Sequence, residues 1–272
     1  MRRRIWIIAD DYGLSPAVDA GILALLDEER LSGTGCMTVF PDWFAAAARL
    51  RPHLAQRAVG LHLTLTDHPA LTGRSPLAPD GRLPCLAELL MKTLTGRLRR
   101  PVADELDAQW HRFEAALGVP PAFLDGHHHV HFLPPVRAWL AARAAGMRRP
   151  LPFLRGSPAF PRLIGQNFAK TAQVYVLARG FAPSMRRAGF AVRGPLAGLY
   201  DWRDPACFER AVGDALARLP DGGLLMCHPG LVDGVLKARE RNVEGRRTER
   251  DYLGSARFAA CLEGAGVEVA HR

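Results

Sequence analysis

Apolar and polar positions along the chain follow one recurring order: a short apolar run, a polar break, then a longer stretch with helical spacing. Arg4 to Ala9 is nearly continuous in apolar residues and stops at Asp10-Asp11-Tyr12-Gly13, the pattern of a strand buried on both faces in a parallel sheet. Ser15-Pro16 then offers a helix cap followed by proline at the first helical position, and Val18, Ile22, Leu25 and Leu26 continue at helical spacing. The order repeats: Gly35 to Phe40 predicts a second strand, and Pro41-Asp42 opens a helix containing Phe44, Ala47 and Ala48. Ala58 to Leu65 predicts a third strand, on which His62 shares a face with Gly60 and Thr64.

Residues 67 to 84 hold His68-Pro69, Pro76, Pro79-Asp80-Gly81 and Pro84, a turn-rich loop of the kind that borders a pocket. Leu86 to Leu98 and Val102 to Leu117 predict helices, the second with Leu106, Trp110, Phe113 and Leu117 on one face and Gly118-Val119-Pro120 as its stop. A strand entering a histidine-rich stretch follows, then an alanine-rich helix from Val136 to Ala145. The proline-rich, basic segment from 148 to 165 predicts no element. Ala169 to Ala178 predicts a helix, Phe190 to Val192 a brief strand, Gly194 to Tyr200 a glycine-rich loop and Pro205 to Leu219 a helix. Gly222 to Gly230 is a buried strand breaking at His228; Thr248 to Leu262 is a last helix and Gly266 to Val269 a terminal strand. Alternating strands and helices imply an α/β fold with a parallel sheet, open and doubly wound or closed into a barrel. With no linker, low-complexity tract or repeat, residues 1–272 read as one domain.

Composition narrows the class. Hydrophobic residues at 48% and charged residues at 23% exclude a disordered chain, and no apolar run approaches the roughly 18 residues of a membrane span. Arg2-Arg3-Arg4 precedes an apolar run that stops at Ala9, too short for an export signal. Five dispersed cysteines without a C-x-x-C pair read as reduced cytosolic thiols, so a cytoplasmic location is expected. The net charge of +9 comes from scattered arginines without aromatic interleaving, which argues against nucleic acid. Small clusters such as Arg97, Arg99 and Arg100 leave an anionic membrane surface open as a partner.

Candidate chemistry centres on Leu124-Asp125-Gly126-His127-His128-His129-Val130-His131, which holds four of the ten histidines. If this is a strand running into a loop, alternation places His127, His129 and His131 on one side and His128 on the other. Asp10-Asp11, His62, His127 and His228 all lie at predicted strand exits, the ends that converge on one face of a (β/α) barrel. Each has a bland reading alone: the aspartates as a helix cap, His62 as a satisfied core histidine, His228-Pro229 as a turn. Together they suggest two imidazoles and a carboxylate on a divalent metal, leaving positions open for water and substrate, with the other aspartate free to act as a base.

Four stretches, Ile8-Ala9-Asp10-Asp11-Tyr12-Gly13-Leu14-Ser15, Gly60-Leu61-His62-Leu63, the histidine run and Met226-Cys227-His228-Pro229-Gly230, resemble in order and spacing the YdjC/ChbG/HpnK family of carbohydrate deacetylases. Arg246-x-Thr248-Glu249-x-Asp251-x-Leu253 is similar to that family's C-terminal helix signature, although Arg250 departs from it. The resemblance implies a distorted, TIM-like (β/α) barrel related to polysaccharide deacetylases, which removes an N-acetyl group from an amino sugar. It implies one divalent ion, magnesium or zinc, on Asp11, His62 and His127, with Asp10 as base and His228 as acid. Asp125 is expected to orient a histidine, and His129, His131, Tyr200 and Arg246 to stand near the metal or the substrate. Chitooligosaccharides and an acetylated glycolipid, the latter with peripheral membrane contact, both suit the resemblance. The competing readings are another metallohydrolase, such as a phosphoesterase, and a non-catalytic metal or anionic-lipid binder. Oligomeric state leaves no mark on the sequence.

Overall fold

The apolar run near the N-terminus forms the longest strand, β1 (Arg3–Tyr12), every residue of which is buried from Ile5 onward. In the computed structural model, which describes residues 1–93, 96–159, 167–202, 204, 207–240 and 243–271, this strand is central to a sheet of 9 strands. The others are β2 (Gly33–Cys36), β3 (Ala58–Leu63), β4 (Phe123–Gly126), β5 (Phe153–Arg155), β6 (Val192–Arg193), β7 (Leu196–Ala197), β8 (Leu224–Cys227) and β9 (Val267–Val269). Their spatial order is β6-β5-β4-β3-β2-β1-β8-β7, with β9 beside the start of β1, and the pairings are parallel. The outermost strands, β6 and β7, are joined only through Gly194-Pro195, and Leu196 N donates across the seam to Ser157 O at 3.0 Å, just beyond β5. The sheet therefore curls into a nearly closed, distorted (β/α) barrel.

Helices fill the crossovers. They are α1 (Pro16–Asp27), α2 (Trp43–Leu50), α3 (Leu86–Thr93), α4 (Arg99–Leu117), α5 (Pro134–Ala144), α6 (Phe168–Leu177), α7 (Phe181–Arg187), α8 (Cys207–Arg218), α9 (Gly234–Arg239), α10 (Glu244–Leu253) and α11 (Ala256–Gly264). Ser15 caps α1 by accepting from Val18 N at 3.2 Å, and the helix buries Val18, Ile22, Leu25 and Leu26. On α4 the buried stripe is Val102, Leu106, Trp110, Phe113 and Leu117, and Gly118 ends the helix at φ 75°. Each such side chain contributes roughly 1.5–3 kcal/mol by leaving water. No helix among the described residues is long and apolar enough to cross a membrane.

Boundaries differ from the sequence reading where an apolar run is not a strand. The second strand is Gly33–Cys36, not 35–40. Met37, Val39 and Phe40 are buried, but in the loop leaving the sheet, and burial alone does not separate a strand from a covered loop. Gly33 pairs with Ala58 on β3, and a Cβ there would lie 1.8 Å from Ala58 O, so this close pairing requires glycine. The expected last helix is two, since α10 stops at Gly254 and Ser255 caps α11 by accepting from Phe258 N at 3.2 Å. The helix expected to reach Leu98 is described only to Thr93, with residues 94–95 outside the described set, as are Pro205 and Ala206 at the start of the expected 205–219 helix. The unplaced segment after 148 contains β5, and α7 and α9 carry no signal that the sequence reading used.

Candidate active site

A regular strand would send Asp10 and Asp11 to opposite faces. Asp11 instead adopts φ 69°, the pairing of β1 with β2 shifts register between Ala9 and Tyr12, and both carboxylates line one cleft at the strand exits. The turn is tied back by Gly13 N, which donates to buried Asp19 Oδ1 at 2.6 Å, and by Leu14 N, which donates to Asp11 O at 3.0 Å. Gly13 sits at φ 92°, and a Cβ there would lie 2.6 Å from Met37 O, so only glycine suits the position. The cleft holds about 310 Å³.

Three side chains, from β1, β3 and the turn that follows β4, converge in it. Asp11 Oδ1 lies 3.3 Å from His62 Nε2 and 3.3 Å from His127 Nδ1. Donor atoms of all three lie within 4.8 Å of one another. His62 Nδ1 donates to Asp125 Oδ1 at 2.7 Å, which leaves Nε2 turned towards Asp11. Asp11 Oδ2 accepts from Arg246 on α10 at 2.7 Å. Burial opposes ionisation of Asp11, yet Arg246 and the hydrogen bonds from His127 and His62 together hold its carboxyl well below the usual carboxylate range. Burial likewise opposes the charged form of His62, but Asp125, Asp10 and Asp11 outweigh it and push the imidazole up to about 10.

The histidine run does not alternate. β4 ends at Gly126, where a Cβ would lie 2.9 Å from Val130 Cγ2 and 3.0 Å from His131 N, and residues His127–Phe132 wind into a tight turn with His128 at φ 52° and His129 at φ 59°. The strand geometry expected for these positions therefore fails at its first residue. His127 meets Asp11, and His129 is buried at the cleft wall. His128 has a side chain 42% exposed at the mouth, with Nδ1 2.9 Å from Thr66 Oγ1. His131 does not line the cleft: its ring lies 3.9 Å from that of Phe132 and 5.6 Å from that of Phe181, behind the site within electrostatic reach of Asp125 and Arg155, and burial pushes its pKa down to about 3.

Asp10 is held by Arg155, which no motif flagged. From the end of β5 its fully buried guanidinium grips both Asp10 oxygens, Oδ2 at 2.7 Å, and also pairs with Asp125 Oδ2. Burial raises the Asp10 pKa from the ordinary carboxylate value while Arg155 opposes the shift. His228, at the exit of β8, places Nε2 3.7 Å from Asp10 Oδ2, and its ring meets Trp202 edge-on at 4.6 Å. Burial drives His228 well below the usual imidazole value, so the resting ring is neutral. Its backbone N donates to Glu249 on α10, and Tyr200 donates to the same carboxylate at 2.6 Å. Tyr200 thus spends its hydroxyl positioning the His228 segment. Lys170 on α6 also lines the cleft, whereas no described residue of the 67–84 loop does. That loop closes on Glu105, which accepts from Leu71 N at 3.1 Å and Thr72 N at 3.0 Å, and it reaches the site through His68, whose ring packs 5.3 Å from His127, and through Asp67, whose Oδ2 lies 3.5 Å from His128 Nδ1.

Comparison with known proteins places the whole architecture. A chitooligosaccharide deacetylase of Klebsiella pneumoniae (strain 342) is 29% identical over 99% of this chain and 98% of its own length. A chitooligosaccharide deacetylase of Citrobacter koseri is 26% identical with the same coverage of both. A crystal structure of a protein named for cellobiose-phosphate cleavage, from Enterococcus faecalis V583, superposes with a TM-score of 0.74 at 21% identity, covering 99% of this chain and 97% of that one. That likeness shows the shared fold. The model of the YdjC-like protein family matches residues 4–264, and the chain belongs to that family.

Proposed function

We propose that this chain removes the N-acetyl group from an amino sugar, releasing acetate and a free amine, with one divalent metal ion held by Asp11, His62 and His127. The observation that carries the reading is the convergence of these three donors beside the Asp10–His228 pair in one cleft. The donor set fits such an ion. Ligand atoms about 2.0–2.2 Å from a common metal stand roughly 3 Å apart, and two imidazole nitrogens here lie 3.3 Å from the same carboxylate oxygen. The Asp125–His62 hydrogen bond is the outer support that fixes the tautomer of a metal-binding imidazole. Two imidazoles and a carboxylate suit zinc, and magnesium with more water is the other candidate. The relatives named chitooligosaccharide deacetylase, matched end to end, point to the same chemistry.

When bound, the ion supplies Lewis acidity towards the acetamide carbonyl and towards water. The chain's own residues move the protons. Burial strengthens Asp10 as a base and Arg155 fixes its orientation, so it accepts the proton of the attacking water. His228, neutral at rest and 3.7 Å from Asp10, takes over the proton that Asp10 removed from water and passes it to the departing nitrogen, which as an amide anion would be a very poor leaving group. Arg246, committed to Asp11, keeps that carboxylate ionised as a ligand. The test is acetate release from N-acetylglucosamine oligomers after loading with zinc or magnesium. Activity should fall by about 10³-fold or more in Asp10→Asn, with metal binding retained; an Asp10→Asn chain that deacetylates at the parent rate would sink the mechanism. Turnover of phosphoesters but not acetamides would assign the site to the competing hydrolase class.

A further inference from the structure

The Asp11–His62–His127 triad has a neighbour. Asp10, His62 and Asp125 also bring donor atoms to within 4.8 Å of one another, and all three residues are buried. On donor type and spacing alone the two triads, which share His62, are both places for a cation. Arg155 distinguishes them. In the first triad Arg246 takes Asp11 Oδ2 and leaves Oδ1 facing both imidazoles. In the second every carboxylate oxygen is engaged: Arg155 grips both oxygens of Asp10 and pairs with Asp125 Oδ2, while His62 Nδ1 donates to Asp125 Oδ1 at 2.7 Å. Asp125 Oδ2 meets the guanidinium as a charge, without the alignment of a hydrogen bond, and the buried Arg155 Nε has no hydrogen-bond partner. The space calls for positive charge more than for one donor direction.

We infer that Arg155 is a built-in cation filling a second metal position on Asp10, His62 and Asp125, so that the chain takes one ion, at Asp11, and keeps Asp10 free of metal. The inference rests on the metal reading above for the first ion alone. Adjacent aspartates of equal burial would otherwise compete for the same ion. Carboxylates beside imidazole are general ligands for divalent cations, and an Asp10 held by one would lose its capacity to accept a proton from water. A guanidinium stays protonated at every working pH. Tethered at the end of β5, it also meets any ion from solution as an intramolecular competitor. Arg155 thus gives the two neighbouring aspartates separate work. Truncating it leaves two buried carboxylates without the charge between them, an arrangement that a divalent ion would neutralise.

The experiment compares Arg155→Ala, which empties the space, with Arg155→Leu, which fills it with hydrocarbon. Zinc bound per chain is counted by equilibrium dialysis, and thermal unfolding is followed with and without zinc. Arg155→Ala should hold one ion more than the parent. Arg155→Leu should not, and adding Asp125→Asn to Arg155→Ala should remove the extra ion. Zinc should also raise the unfolding midpoint of Arg155→Ala by about 5 °C more than that of Arg155→Leu. No extra ion in Arg155→Ala, or an Arg155→Ala chain that zinc does not bring to the folded state, overturns the inference. So does a second ion in the parent that Asp125→Asn removes. An ion gained by Arg155→Ala over a parent that binds none would support the second position and count against the ligand set of the deacetylase reading.

Discussion

Phe123-Leu124-Asp125-Gly126 and Phe153-Leu154-Arg155-Gly156 are near copies that lie side by side in the barrel. Phe123 is in register with Phe153 and Leu124 with Leu154, the two rings stack at 5.1 Å, and the next position forms the Asp125–Arg155 ion pair. Each ends in glycine because the chain is crowded there: a Cβ on Gly156 would lie 2.7 Å from Arg193 O, much as one on Gly126 would strike Val130. The first tetrapeptide is followed by histidines and advertises a site; the second sits among prolines and arginines and reads as loop. What separates them is context, since a strand of 3 residues is too short to carry a periodic signal. Asp125, which holds His62, and its counter-charge Arg155 thus occupy matching positions on neighbouring strands.

Removing the second tetrapeptide's charge is the severest test of that pairing. Arg155→Leu leaves Asp10 and Asp125 buried without their common partner, and loss of one side of such a cluster costs about 3–5 kcal/mol. Urea unfolding should show that loss, and acetate release should fall by about 10³-fold or more as Asp10 loses its orientation. Arg155→Lys keeps a charge but not the fork that reaches two carboxylates, so it should recover stability in part and activity much less. A stable, active Arg155→Leu chain would break the comparison, reducing the two strands to neighbours that share only packing.

The same contrast explains what was legible. β1, β3 and β8 carry apolar runs that end at Asp10, His62 and His228, and parallel strands bring such exits together, so the ligand candidates and the barrel followed from pattern and resemblance. Arg155 was absent from that reading because its partners are fixed by register between strands, a long-range property. The shared face expected for His127, His129 and His131 does not form for the opposite reason: alternation presumes a continuing strand, and Gly126 ends it. This difference predicts the next largest effect. His127→Ala should weaken metal binding by at least about 100-fold, measured by competition with a chelating dye, because the proposed site loses one of its three donors. His131→Ala should bind metal within about threefold of the parent and instead lose roughly 1–3 kcal/mol of stability from the Phe132–Phe181 cluster. Comparable metal loss in both variants would restore the strand-like reading of the run.

Asp19 carries the comparison to the exit of β1 at a smaller scale. Its carboxylate holds the Asp10–Asp11 turn through Gly13 N and meets half-exposed Arg49 at 2.8 Å, with Arg239 as a more distant counter-charge, so the turn hangs on a buried, weakly compensated acid. Burial raises Asp19 to about 7, with Gly13 and Arg49 only partly offsetting it. In the unfolded chain the group titrates near 3.9. A folded-state pKa above the unfolded one means that the folded chain binds the extra proton, so the contribution to stability is present at low pH and is lost as pH rises through 7. Asp19→Asn keeps an acceptor for Gly13 N and cannot titrate. Burial also raises Glu249 to about 7 and will tilt both chains alike, so the informative quantity is the parent's unfolding free energy minus that of Asp19→Asn. That difference should fall by about 1 kcal/mol between pH 6 and pH 8. A flat difference would mean that Arg49 keeps Asp19 ionised throughout, and the β1 turn would then be pinned by a permanent ion pair of the kind that joins β4 to β5.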